Sequence, residues 1–320
     1  MGIEELCSSS RVVIVAGKGG VGKTTVAASL ALAAAAVGRT ALLVEVEGRP
    51  DLAAVFGKDS LSGEELAPGV WGSALHPDLA LLEYLETRGL GRISKRLVSS
   101  GALEVLATAV PGAKDILLLG KIKALQNLRS ADVIIVDAPA TGHAVSFLVS
   151  PRGLLDAIRV GPIRAQATDV IEMLSDPLRC VVLLVTAPEE TPVSEAIEAA
   201  SALESRAGVT VSSVVVNGLY PELPPTVEPP FTVEQVIADA RQAGHPVTED
   251  LAAQMAGADA FRRRRRELQD AQLVRLTEEL DLPQVPLPYL FRAQLGVEDL
   301  KSLASGLISG LERVAVPRPA

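Results

Sequence analysis

Residues 17–25 read Gly-Lys-Gly-Gly-Val-Gly-Lys-Thr-Thr, directly after the apolar run Val12-Val13-Ile14-Val15-Ala16. Gly17, Gly22, Lys23 and Thr24 meet the spacing Gly-x-x-x-x-Gly-Lys-Ser/Thr, and a helix-forming stretch from Val26 to Val37, closed by Gly38, follows. No other feature constrains the fold as much. A loop of this kind joins the C-terminal end of a buried strand to a helix N-terminus, which is the connection of a parallel α/β sheet. Its glycines let backbone N–H groups turn inward around an anion, and the helix N-terminus adds partial positive charge. In that geometry Lys23 reaches β- and γ-phosphates and the Thr24 hydroxyl ligates Mg²⁺.

A second lysine follows the first glycine. Lys18 is too early in the loop to duplicate Lys23. It is read as a cation that reaches across a dimer interface to the partner's nucleotide, as an arginine finger does, against the simpler reading of a solvated loop lysine.

Further apolar runs at 41–46, 133–136, 181–186, 211–216 and 284–287 are rich in Val, Ile and Leu without polar alternation. Such runs are strands buried on both faces. The expected fold is α/β, a doubly wound and mainly parallel sheet, with 1–320 forming a single P-loop domain. Residues 52–127 carry helical spacing and little strand signal: Leu79, Leu82 and Leu85, then Leu103, Leu106 and Val110, then Ile116, Leu119 and Ile122. Pro111-Gly112 marks a turn among them, and a similar stretch from 151 to 177 breaks at Gly161-Pro162. These two stretches are expected to form an inserted helical subdomain that offers a groove or partner surface, or else simply covers the sheet.

The formal net charge of −9 argues against a nucleic-acid partner. The two cysteines, Cys7 and Cys180, form no CxxC pair, which suits a reducing, cytoplasmic setting. The N-terminus has the character of no secretory leader, and no apolar stretch is long enough to span a bilayer. The proline-rich stretch 221–230 reads as an exposed, extended loop. The five-arginine run 262–266, set among Glu267, Asp270 and Glu278, reads as a solvated helix face rather than an anionic-polymer or lipid site.

Two more strand ends carry acids. Asp137 closes the run 133–136 and is expected to hold a metal-bound water, with the following Ala-Pro-Ala-Thr-Gly-His143 as a γ-phosphate-sensing turn. His143 either contacts phosphate or a partner, or serves the turn structurally. Glu45 and Glu47 share a face at the end of 41–46; Glu47, past the strand end, is favoured as the group that orients the attacking water. Arg49 is a further contact to phosphate or to the opposing subunit.

Together these motifs resemble a family, the deviant-loop ATPases, and within them the arsenite-pump ATPase and tail-anchored-protein targeting family. The loop at 17–25 and Asp137-Ala-Pro-Ala-Thr-Gly-His143 are the specific parts. Thr186-Ala-Pro-Glu-Glu190, Val215-Val216-Asn217-Gly218-Leu219-Tyr220-Pro221 and Gln284-Val285-Pro286-Leu287-Pro288 are also similar to the family's segments, so the likeness runs from about residue 11 to 290. It implies that Gly19, Gly20, Val21, Gly22, Lys23, Thr24 and Thr25 hold the phosphates and Mg²⁺, that Lys18 acts in trans, and that Asn217 and Pro288 meet adenine. The segments 43–51, 56–58 and 117–123 resemble a paired actinobacterial branch that assembles as heterodimers.

The departures narrow the function. Where the family's first switch carries an aspartate, this chain has Glu47-Gly48-Arg49-Pro50-Asp51. Two separated cysteines do not make a soft-thiolate metalloid site or a zinc clasp, and three methionines are few for a Met-rich groove. The expectation is therefore a cytoplasmic Mg-dependent ATPase. It works as a homodimer, or as a heterodimer with a paralogue, and couples ATP to capture and release of a protein or hydrophobic client, with Lys18, Lys23, Glu47 and Asp137 catalytic. The alternative is the ATPase subunit of an anion or metalloid exporter with a membrane partner. A partition-type positioning ATPase lacks its basic surface here, and a cluster-bearing reductase lacks its paired cysteines.

Overall fold

The computed structural model of the chain describes residues 1–8, 11–46, 51–87, 112–139, 141–159, 161–221 and 231–315. Eight strands form one sheet: β1 Arg11–Gly17, β2 Ala41–Val46, β3 Ser62–Ala67, β4 Val70–Leu75, β5 Val133–Asp137, β6 Cys180–Thr186, β7 Val211–Leu219 and β8 Gln284–Pro288. Their order across the sheet is β3-β4-β2-β5-β1-β6-β7-β8. Every adjacent pair is parallel except β3 on β4. All six expected strands are present, and the fold is the mainly parallel α/β sheet read from the sequence.

The hairpin β3–β4 lies within 52–127, the stretch read as carrying helical spacing and little strand signal, and corrects that reading for residues 62–75. Pro68-Gly69 is its turn, with Gly69 at φ 78 and its carbonyl accepting from Ala41 N at 2.9 Å, which lays β4 beside β2. Both strands are half exposed and carry Gly63, Glu64, Glu65, Gly72 and Ser73, so no apolar run announced them. Pro-Gly flanked by Leu66 and Trp71 was the available signal.

Eleven α-helices are described: α1 Ile3–Leu6, α2 Lys23–Ala36, α3 Asp51–Val55, α4 Pro77–Thr87, α5 Ala113–Asn127, α6 Thr141–Ala157, α7 Pro162–Ser175, α8 Glu190–Ala202 (continued by a π-helical turn, Leu203–Ala207), α9 Val233–Gln242, α10 Glu249–Glu279 and α11 Val297–Ala315. They cover both faces. Val13, Val15, Ile135, Leu183 and Val215 pack with α2 and α11 on one side. Val12, Ile14, Ile134, Val182 and Val214 pack with residues of α5, α6, α7 and α8 on the other. This is the physical meaning of the unbroken Val/Ile/Leu runs. Helix α2 is buried from Val26 through Ala34, squeezed between the sheet and α11, and its alanines permit that approach.

Among the described parts of the expected helical stretches, α4, α5, α6 and α7 are helical; the third group, Leu103, Leu106 and Val110, lies outside the described residues. Ile116, Leu119 and Ile122 are buried as read. In α4 the buried face is Ala80 and Leu81 rather than Leu79 and Leu82. Gly161 and Pro162 do separate α6 from α7.

The edge strand β8 faces β7 through its odd-numbered residues: Pro283 O accepts from Val214 N at 2.8 Å, and Tyr289 N donates to Leu219 O at 2.8 Å. Gln284, Pro286 and Pro288 therefore point away from the sheet, and two of those three have no N–H to offer. The arginine run lies within α10 but is not a plain solvated face. Arg263 pairs with Asp259 at 2.7 Å, Arg266 with Asp270 at 2.8 Å, and Arg265 with Glu189, while Arg262 donates to the Pro221 carbonyl at 2.8 Å. Residues 222–230, most of the expected proline-rich loop, lie outside the described residues.

Candidate active site

The parallel order puts the ends of β2, β5, β1, β6, β7 and β8 along one rim, with β1 near the middle. At the end of β1, Gly17 lies against β6: a Cβ there would stand 2.2 Å from the Val185 backbone oxygen. Its glycine requirement thus comes from strand packing. Gly20 and Gly22 have φ of 85 and 90, and Gly22 forms the left-handed N-cap of α2. That cap makes no side-chain hydrogen bond, so the first turn of α2 keeps its N–H groups for the loop's interior. Gly19 and Gly20 are exposed at the loop's crest, Val21 is buried beneath it, and Thr24 and Thr25 on the first turn of α2 are half-buried.

The two loop lysines occupy different places. Lys23, the first residue of α2, is buried and donates from Nζ to the Lys18 carbonyl at 2.9 Å, spanning the loop it begins. Lys18 points outward instead. Its Nζ lies 2.6 Å from Glu195 Oε1 on α8, with the two side chains 34% and 36% exposed. Glu195 was missed by the sequence reading. It lies seven positions beyond Pro188 in the segment after β6, and no local pattern distinguishes it from the other acids of α8.

Thr24 and Asp137, expected to share a metal, are brought together: Thr24 Oγ1 donates to Asp137 Oδ2 at 2.7 Å, across 113 residues of sequence. Asp137 ends β5, the neighbour of β1, so the register of two parallel strands sets this contact. A hydroxyl and a buried carboxylate side by side beneath an amide-lined loop form an all-oxygen donor pair of the kind Mg²⁺ takes beside phosphates, and the residues present fit that ion. No cluster of three or more His, Cys, Asp or Glu able to hold a metal occurs among the described residues.

On the other side of β1, Asn217 lies in β7 rather than in a loop, and its Nδ2 donates to the Val21 carbonyl at 2.8 Å. Pro288 ends β8 opposite Leu219. Beyond it Tyr289 stacks on Tyr220 at 5.1 Å, and Phe291 meets both rings edge-on, so three of the chain's nine Trp, Tyr and Phe residues gather beside Asn217's strand end.

Glu47 and Arg49 lie outside the described residues, and of His143 only the placement in the first turn of α6 is described. Glu45 is buried in β2, in register with Asp137. Cys7 and Cys180 belong to opposite faces of the sheet. Burial pushes both thiols up to about 12, so at neutral pH they are uncharged core groups.

The comparisons with known proteins agree with this geometry. Residues 10–161 match the model of the family described as anion-transporting ATPases. ATPase BagA of Mycobacterium tuberculosis is 37% identical over 255 residues, 74% of this chain and 74% of its own length. A Halobacterium salinarum protein carrying the name of an arsenical pump-driving ATPase is 26% identical over 326 residues, 95% of this chain and 45% of its own length. ATPase get3 of Schizosaccharomyces japonicus is 29% identical over 175 residues, 51% of this chain and 53% of its own length. A phosphate loop built on the central strand, an acid on the adjacent strand and these likenesses lead to one conclusion: this chain is an ATP hydrolase of the anion-transporting ATPase family, with the arsenical pump-driving and get3 ATPases among its relatives.

Proposed function

We propose that the chain is a Mg-ATP-driven switch of two subunits, acting in the cytosol, whose opening and closing captures and releases an apolar client. The observation that carries the reading is the division of labour between the two loop lysines. Lys23 is buried inside the loop, placed to meet its own subunit's phosphates, while Lys18 sits at the loop's mouth, one third exposed, its ammonium paired among the described residues with the Glu195 side chain. A cation so placed does little for its own site and is suited to reach a second nucleotide across an interface. Residues 19–25 hold the phosphates, and Thr24 and Asp137 hold the metal. Bound Mg²⁺ would supply charge neutralisation at the bridging oxygens. Glu47 orients the water, and Asn217 and Pro288 face adenine. Only the triphosphate offers γ-oxygens to both switch segments, which ties the closed form to ATP.

The client surface belongs to the helices α4, α5 and α7. Between them lies a cavity of about 140 Å³ walled by Leu81, Leu85, Ile116, Leu117 and Ile163. Among the described residues no helix is long and apolar enough to cross a membrane. The metalloid-export reading gains nothing from the cysteines, which the sheet separates.

The test is light scattering of a Glu47→Gln variant over a range of protein concentrations. With Mg-ATP the mass is expected to double, and with ADP to stay at that of one chain. One-chain mass with ATP at every concentration, both for the pure protein and after cytosol from the source organism is added, would refute the two-subunit reading. A paralogous partner would appear as a dimer only when cytosol from the source organism is added.

A further inference from the structure

We propose that Asn217 is a positioning residue of the phosphate loop, holding the loop's main chain in its anion-receiving shape whether or not a base is present. The inference rests on reading residues 17–25 as the phosphate site.

Two contacts support it. Asn217 Nδ2 donates to the Val21 carbonyl at 2.8 Å, across 196 residues of sequence. The next residue, Gly22, packs on the same amide: a Cβ there would stand 2.3 Å from Nδ2. The consequence follows from peptide planarity. The Val21 carbonyl and the Gly22 N–H belong to one rigid trans unit and point in opposite directions. Drawing the carbonyl toward Asn217 aims the Gly22 N–H away from it, on the residue that immediately precedes Lys23 and Thr24. In a loop rich in glycine, that peptide would otherwise turn freely.

A strut must itself be held, and Asn217 is. It precedes a strand end pinned from two sides. Gln269 of α10, 2% exposed, donates to Gly218 O at 3.2 Å and accepts from Tyr220 N at 2.8 Å. Arg266 donates to Tyr220 O at 2.6 Å, and Arg262 to Pro221 O at 2.8 Å. On the other side Tyr289 N donates to Leu219 O, and its ring stacks on Tyr220. The arginine run of α10, together with Gln269, thereby seats the strand end that carries the strut. A group that orients a site is effective when its own supports are satisfied.

A residue that only reads adenine makes a different prediction. Calorimetry with Mg-ATP and with Mg-tripolyphosphate, which has no base, separates the two for the wild type, Asn217→Ala and Asn217→Asp. Loss of one neutral hydrogen bond is expected to weaken both ligands by about two- to tenfold in the alanine variant. The aspartate, which sets an acceptor against the Val21 carbonyl, should weaken both at least as much. In the ligand-free protein, hydrogen exchange of the amides at 19–24 should be faster in both variants than in wild type. Unchanged exchange there, or unchanged tripolyphosphate affinity beside weakened ATP, overturns the strut. A wild type that binds neither ligand defeats the phosphate-site reading instead, and the exchange measurement still judges the strut.

Discussion

Glu195→Gln removes the charge that holds Lys18 and keeps the side chain's shape. The ammonium and carboxylate are 2.6 Å apart, but each side chain is about one third exposed, so solvent screens the pair. Ion pairs of this exposure contribute about 0.2–1 kcal/mol, and the short contact favours the upper part of that range. If Lys18 must leave Glu195 to reach a partner's nucleotide, each of two subunits gives up that amount on closing. The sum, about 0.4–2 kcal/mol, corresponds to about two- to thirtyfold in the dimer dissociation constant. The variant should therefore dimerise more tightly with Mg-ATP than the wild type. Sedimentation velocity over a dilution series at low ionic strength measures the difference, and it should shrink at about 0.5 M salt as screening sets in. In a Lys18→Ala background, Glu195→Gln should have no effect, because nothing remains to be released. Equal or weaker dimerisation of the single variant, or the same gain without Lys18, would refute the reasoning.

Lys23→Ala should raise the ATP dissociation constant by about 10- to 150-fold, the worth of a charge-assisted contact, without lowering the melting temperature; calorimetry and a thermal melt check the two halves. Gly17→Ala should destabilise the fold by about 1–3 kcal/mol in chemical denaturation, since its Cβ meets the Val185 backbone oxygen rather than a movable side chain. Ile14→Ala, fully buried on a central strand, should cost about 2–5 kcal/mol in the same assay. Both thiols are raised from 9.0 to about 12, so the native state keeps protons that the unfolded chain loses above pH 9. Stability is then full below pH 9 and falls as pH rises toward 12, by up to about 1.4 kcal/mol per pH unit for each thiol. Denaturation at pH 8 and pH 10 should show a smaller fall for Cys180→Ala than for the wild type.

What could be read in advance follows from where each determinant lies. The six parallel strands were legible because burial on both faces leaves unbroken apolar runs. The hairpin β3–β4 was not, since half-exposed strands built on glycine, serine and glutamate have no such run, and only Pro68-Gly69 marked it. The phosphate loop was legible because its geometry is local, and Asp137 because it ends an evident strand. Glu195 and the Asn217–Val21 contact were beyond reach: each joins residues more than 170 positions apart, and strand order decides which helix passes the loop. The arginine run was read from its charged neighbours as solvated. Its partners include the carbonyls of Tyr220 and Pro221, which no charge pattern encodes.

Pro286 and Pro288, turned outward from β8, bear on how such chains can associate. A strand offered to that margin would meet two consecutive outward positions without an amide donor. The opposite margin, β3, is short, irregular in register and lined by Glu64 and Glu65. Continuous intermolecular sheets are thus discouraged at both flanks. The two-subunit switch proposed above would instead meet at the rim where the strands release their loops, so that self-association and occupancy of the phosphate pocket would share a single surface.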